Sequence, residues 1–182
     1  MAIVAIQGIA GSYSEEAARR LLGDECEIRS AESFAEAVRL LKSGKADHAV
    51  LPVENRIIGR IDAGADMIED NGIEIQGETV VEVDHVLAGR KDAEFESIRS
   101  VMSHPAALGQ CSVFFKDYPH LRGVECADTA SGVRNAAAGG DATAAAIGSR
   151  RAAEIYGAKI LRESIADRPD NWTRFYLIRD RK

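Results

Sequence analysis

Short apolar runs, each stopped by glycine or a polar turn, alternate along this chain with stretches whose apolar residues recur at helical spacing. Ala2 to Gln7 is an unbroken apolar run that ends at Gly8, as expected of a strand buried on both faces. The pattern Ala17, Ala18, Leu21, Leu22 then predicts a helix, with Ser12 or Ser14 as its N-cap and Glu15 or Glu16 in the first turn. Glu25 to Ser30 reads as a second strand. Ser33-Phe34-Ala35-Glu36 is a capping box that opens a helix whose inner face carries Phe34, Ala37, Val38 and Leu41. Asp47 to Asn55 is a third buried strand, ending in a polar turn. Three strand–helix units in succession predict a parallel α/β sheet, with ligands outside the carboxyl ends of its strands. Gly8 to Ser12 and Glu54 to Gly59 both fall at that edge.

Ile57 to Glu69 has the spacing of a helix with Ile61, Ala65 and Ile68 inward, stopped by Asn71-Gly72. Glu78 to Ala88 reads as one long strand suited to crossing between two lobes. A second set of alternating elements follows. Ile98 to Ser103 is a strand, His104-Pro105 opens a helix with Leu108, Cys111 and Phe115 inward, and Val124 to Ala127 is a strand. Asp128 to Ser131 starts another helix, Ala142 to Ile147 is a small-residue strand, Gly148 to Tyr156 is helical, and Lys159 to Leu161 leads back. The expected organisation is two α/β lobes, 1–78 plus 162–182 and 79–161, with a ligand cleft between them.

The last ordered stretch, Asn171 to Ile178, is rich in β-branched and aromatic residues, yet Thr173 and Arg174 stand side by side in it. A permanently charged guanidinium in an apolar strand requires an anionic partner. That partner is either a protein carboxylate or a ligand carboxylate.

Charge and composition narrow the chemistry. Of 182 residues, 46% are hydrophobic and 29% charged, which is ordinary for a globular chain. The net charge of -6 argues against a general nucleic-acid or anionic-membrane surface, while leaving room for a locally basic pocket. Cys26, Cys111 and Cys126 show no CxxC spacing and read as small core residues in a reducing compartment. The first residues carry no basic signal-peptide region, and no apolar run has membrane-spanning length, so a cytoplasmic protein is expected. His48, His85, His104 and His120 lie on different elements without metal-ligand spacing, and His104 reads as a hydrogen-bonding residue rather than a base. Without a GxSxG elbow, acyl transfer has no support. The turn after the first strand is neither GxGxxG nor GxxxxGK[ST], which leaves a nucleotide site weakly supported. Ser12, Asn55, Ser103, Thr129, Thr173 and Arg174 do gather at helix starts and strand ends. That set suits carboxylates and hydroxyls.

Several segments, in order, resemble the prephenate dehydratase family. They are Gly8-x-x-Gly11-Ser12-Tyr13-Ser14, Leu51-Pro52-Val53-Glu54-Asn55 with Gly59, Gly77-Glu78, Ser103-His104-Pro105-x-Ala107-Leu108-x-Gln110-Cys111, Asp128-Thr129-Ala130, Ala145-Ala146-Ile147-x-Ser149 with Ala153 and Tyr156-Gly157, and Asn171-x-Thr173-Arg174-Phe175. The resemblance implies two lobes like type-II periplasmic binding proteins, with the active site between them, and conversion of prephenate to phenylpyruvate with loss of CO2 and water and no cofactor. It implies Thr173 as general acid or hydrogen-bond donor to the departing ring hydroxyl, and Arg174 as a bidentate carboxylate ligand. Phe175 would pack on the ring or orient Thr173, and Ser12, Asn55, Ser103, His104 and Thr129 would complete the substrate-binding set. It also suggests a homodimer.

Arg56 and Ala106 stand where the family usually has Ser and Gln. Arg56 either enters the cleft as an added anion clamp, and is counted with the substrate-binding residues, or points to solvent. Either change leaves arogenate or a substituted prephenate open as substrate. Many relatives continue into a phenylalanine-binding ACT domain, whereas this sequence ends at Lys182, as an unregulated catalytic domain or a piece of a longer chain. Two other readings compete. Prephenate decarboxylases share the fold but lack the Thr-Arg-Phe triplet, and a non-catalytic module would merely bind a small carboxylate.

Overall fold

A computed structural model describes residues 1–69 and 72–181. In chain order its elements are β1 (Ile3–Gln7), α1 (Tyr13–Leu22), β2 (Glu27–Ala31), α2 (Phe34–Lys42), β3 (His48–Asn55), β4 (Gly59–Arg60), α3 (Asp62–Glu69) and β5 (Ile73–Glu82). Next come β6 (Val86–Gly89), a 3-10 turn at Phe95–Ser97, β7 (Ser100–Ser103), α4 (Pro105–Gly109), α5 (Ser112–Asp117) and β8 (Arg122–Glu125). The last are α6 (Thr129–Ala138), β9 (Ala144–Gly148), α7 (Arg150–Tyr156), β10 (Lys159–Arg162) and β11 (Trp172–Asp180). The chain forms two compact units, Met1–Val83 with Asn171–Lys182, and Asp84–Asp170.

The first unit is built on a sheet of order β2-β1-β3-β11-β5, with β4 paired to β3. β1, β2 and β3 run parallel, and Val4, Ala5 and Ile6 are wholly buried. They have to be apolar in succession because both faces are covered. Val4 and Ile6 pack with Ala17 and Ala18 of α1, whereas Ala5 packs with Ala37 and Leu41 of α2. β11 returns from the far end of the sequence and inserts antiparallel between β3 and β5. Its side chains alternate, with Phe175 and Leu177 in the α1 layer and Tyr176 and Ile178 in the α2 layer.

Proline sits inside the central strand β3, where it lacks the N–H needed for the ladder. The register responds: Glu54 faces Arg174 and Pro52 faces Phe175, so Val53 is an extra residue and β3 bulges there. α3 lies close against this bulge. A Cβ on Gly64 would stand 1.9 Å from the Pro52 carbonyl oxygen, so only glycine permits the approach.

Two expectations change here. The helix expected from Ile57 begins at Asp62, because Gly59 and Arg60 pair back onto Asn55 and Glu54 as β4. Gly59, at φ 84°, makes that turn possible, and Ile57 and Ile58 are left exposed. Gly64 is the residue that α3 buries, with Ala65 and Ile68 half-buried. Its expected stop at Asn71 lies outside the described residues. The single strand expected from Glu78 to Ala88 is two strands in different sheets, interrupted at Val83, Asp84 and His85. The interruption has its own bonding: the Val83 N–H donates to the Asn171 carbonyl, and the His85 carbonyl accepts from Ile165.

The second unit carries a sheet of order β10-β6-β9-β7-β8, with β7 parallel to β8 and β9, and β6 antiparallel to β9 and β10. Leu87, Ile98, Val101, Phe114, Ala145 and Ile147 belong to its core. The helix expected after His104 is broken into α4 and α5, and Asp167 caps α5 by accepting from the Ser112 and Val113 N–H groups at 3.0 and 2.8 Å. Cys26 and Cys111 are buried and Cys126 is half-buried, all as free thiols. Burial pushes the Cys111 thiol up to about 12.

Candidate functional site

Asn55 ends β3 and lies opposite Thr173 in the β3–β11 ladder, so the two side chains leave the same face of the sheet. Both are buried, at 4% and 8% exposure. The Asn55 amide is oriented by the turn that follows it. Its Oδ1 accepts from the Ile57 and Ile58 N–H groups at 3.0 and 3.1 Å. The nitrogen must therefore face β11, where it lies 3.0 Å from Thr173 Oγ1, 2.9 Å from Asn171 Oδ1 and 2.9 Å from the Trp172 carbonyl. An amide nitrogen only donates, so Thr173 Oγ1 accepts in this bond. Its own proton has no acceptor among the described residues and is left to donate elsewhere. Phe175 is 2% exposed, packs with Val4, Ile6, Val50 and Val81, and anchors the strand behind Thr173.

Arg174 lies elsewhere. It emerges on the opposite face of β11, where with Tyr176, Val53, Ala65, Ile68 and Ile75 it lines a cavity of about 390 Å³. Its Nη1 donates to Glu78 Oε1 at 2.9 Å. Its buried Nε is 3.3 Å from Glu54 Oε2 without a hydrogen-bond geometry. Two protein carboxylates thus meet the charge that the sequence left to either a protein or a ligand. Thr173 and Arg174 are neighbours in sequence but do not share a face.

Ser12 follows β1 and caps α1, its Oγ accepting from the Glu15 N–H at 3.2 Å. The Gly11 N–H donates to Glu15 Oε2 at 2.6 Å, and Glu15 Oε1 accepts from Arg19 Nε at 2.7 Å. Arg56 is exposed, and its backbone N–H donates to the Trp172 carbonyl at 3.0 Å.

In the second unit, Ser103 ends β7 wholly buried, and its Oγ donates to the Ile147 carbonyl at 2.7 Å. His104 caps α4, Nδ1 accepting from the Ala106 N–H at 3.2 Å, which places a neutral ring's proton on Nε2. Thr129 opens α6 behind the Asp128 cap. Ser12, Asn55, Ser103 and His104 all stand at or just past the carboxyl ends of parallel strands, where α/β sheets position ligands.

Sequence reasoning gave no role to Asn171, which is 3% exposed and bonded to Asn55, nor to Glu54 and Glu78. All three stood inside motifs already singled out, which is the signal that would have found them. His85 went unassigned too. It is 2% exposed, its Nε2 lies 3.0 Å from Gln110 Oε1, and burial lowers its pKa against the opposing effects of Gln110 and Asp84.

The prephenate dehydratase family profile matches residues 4–182. Arogenate dehydratase/prephenate dehydratase 1 of Arabidopsis thaliana is 36% identical over 96% of this chain and 44% of its own length. A solved prephenate dehydratase from Arthrobacter aurescens, in complex with L-Phe, superposes with a TM-score of 0.88 at 26% identity, over 99% of this chain and 61% of that one. A structure described as GqqA, a novel type of quorum quenching acylase, superposes with a TM-score of 0.85 at 30% identity, over 99% of this chain and 64% of that one. The chain spans less than half the length of that Arabidopsis relative.

Proposed function

Because the chain belongs to the prephenate dehydratase family, we propose that it converts prephenate to phenylpyruvate with release of CO2 and water. The observation that carries this reading is the Thr173 hydroxyl, held as an acceptor by Asn55 so that its proton is presented outward. In the reaction the bond from the ring to its carboxylate breaks, releasing CO2, its electron pair enters the ring and expels the ring hydroxyl, and that group leaves as water by taking up one proton from solvent. Aromatisation drives both losses. A Thr hydroxyl is a weak acid, so its contribution is a hydrogen bond that strengthens as charge develops on the leaving oxygen. The bond from Asn55 polarises the hydroxyl in the useful direction, since a group that accepts becomes a better donor. Phe175 fixes Thr173 from the core side. As part of the same proposal, Ser12, Arg56, His104 and Thr129 bind the substrate dianion, whereas the expected contact from Ser103 is withdrawn, because it is buried with its hydroxyl proton on the Ile147 carbonyl. We also propose a homodimer, which the family resemblance supports, and a cytoplasmic location, which the isolated cysteines support.

An acylase reading finds no support at these residues. Ser12, Ser103 and Thr173 bond to backbone groups or to an amide, and among the described residues none has a histidine or carboxylate partner to activate it.

The test is product identification after incubation with prephenate near neutral pH. Phenylpyruvate above the uncatalysed background is expected. A decarboxylated but non-aromatic product, or none, contradicts the reading, and conversion of arogenate to phenylalanine in preference would reassign the substrate.

A further inference from the structure

Glu54 and Glu78 belong to the motifs that mark this chain, yet neither has a place in the proton-donor step. Both meet on Arg174. Glu54 faces Arg174 across the β3 ladder, and Glu78, two positions along β5 from the residue opposite Arg174, reaches it diagonally. The Nη1–Glu78 contact is 2.9 Å and the Nε–Glu54 contact 3.3 Å. The guanidinium therefore links β11 to both strands that flank it, β3 and β5.

Its position along β11 matters as much as its partners. The register between β11 and β3 shifts immediately after Arg174, and that between β11 and β5 shifts after Leu177. Ladders on both sides and buried side chains on both faces specify the overall register of β11, and the bulge in β3 interrupts its ladder directly beside Arg174, leaving only the short Thr173 end beyond it. The pairing before the first irregularity brings Thr173 opposite Asn55, and Arg174 is the next residue.

We propose that Arg174 is a positioning residue, bonded to Glu78 and close to Glu54, that fixes the short end of β11 beside the β3 bulge so that Thr173 meets Asn55. It does not bind a substrate carboxylate. This rests on the reading of Thr173 given above. Glu78 and Arg174 keep side-chain exposures of 54% and 32%, and ion pairs so exposed contribute little to stability. The effect is geometric, and small displacements of a catalytic group cost large factors in rate.

The experiment compares Arg174→Met, Arg174→Lys and Glu78→Gln in the full chain by kinetics with prephenate and by hydrogen exchange of the β11 amides. Expected are a fall in kcat of about 10-fold or more for Arg174→Met with KM unchanged, a smaller fall for Glu78→Gln, and recovery of most of the loss in Arg174→Lys. Exchange at Thr173 and Phe175 should quicken in Arg174→Met, while the helices keep their protection. A several-fold rise in KM at constant kcat in both Arg174 variants would show direct substrate contact and overturn the proposal. Unchanged kinetics and unchanged exchange in Arg174→Met and Glu78→Gln would overturn it equally. If the unmodified chain turns over no prephenate, the functional reading fails by itself, and the exchange measurement still decides whether Arg174 fixes that end of β11.

Discussion

A single amide decides what Thr173 does. Asn55 is oriented by two backbone donors, so its nitrogen faces Thr173 and the hydroxyl proton faces away. Asn55→Asp keeps the shape and the two turn bonds but removes the donor; the carboxylate then takes the Thr173 proton for itself. We expect its kcat to fall by about 10²-fold or more with secondary structure intact, as read by circular dichroism beside the phenylpyruvate assay. A kcat close to that of the parent would show that the amide's orientation is irrelevant. His85 offers a second residue-scale prediction. Burial lowers its folded pKa below the ordinary value of 6.5, so the unfolded chain takes up the proton first as pH falls. Stability is then present above that value and lost below it, with a limiting slope of about 1.4 kcal/mol per pH unit. His85→Gln should flatten this dependence in denaturant titrations between neutral and mildly acidic pH, and an unchanged slope would assign the acid sensitivity to other groups.

At the scale of elements, the alternation of apolar runs and capped helices announced most of what forms. β1, β3, α1, α2 and β9 are where apolar pattern and caps place them, because propensity, capping and burial agree there. The misplacements share a cause in long-range pairing that local pattern does not carry. β4 exists only because Gly59 and Arg60 find Glu54 and Asn55, and the pause at Val83 to His85 is set by bonds to Asn171 and Ile165. The candidate site was legible in part. Thr173 and Asn55 announced themselves as polar residues at the ends of buried strands. That Arg174 turns to the other face follows from the two-residue period of a strand, but its partners depend on which strands flank it. Gly64 is the element-scale test of the bulge. Gly64→Ala forces a methyl group against the Pro52 carbonyl, and we expect a loss of about 3 kcal/mol in unfolding free energy. Stability equal to the parent would mean that α3 moves away from β3 without cost.

Taken whole, the chain closes its first unit with its last strand. β11 is an interior strand of that sheet, flanked by β3 and β5, whereas the second unit is a continuous stretch from Asp84 to Asp170. Removing β11 would leave two unpaired edges and strip Phe175, Leu177 and Ile178 from the core. A chain ending at Asp170 should lose the first unit's cooperative unfolding and all turnover, while residues 84–170 expressed alone should give the dispersed NMR spectrum of a folded unit. Among the described residues no helix is long and apolar enough to cross a membrane.

Thr173, as the proposed hydrogen-bond donor to the departing hydroxyl, is the residue on which turnover depends. The measurement that tests it most directly is the rate of phenylpyruvate formation from prephenate by Thr173→Val beside the unmodified chain. Valine keeps the volume and the β-branched shape and removes only the hydroxyl. The expected variant is folded, with kcat lower by about 10²-fold or more and KM little changed. A variant that forms phenylpyruvate at nearly the unmodified rate would contradict it.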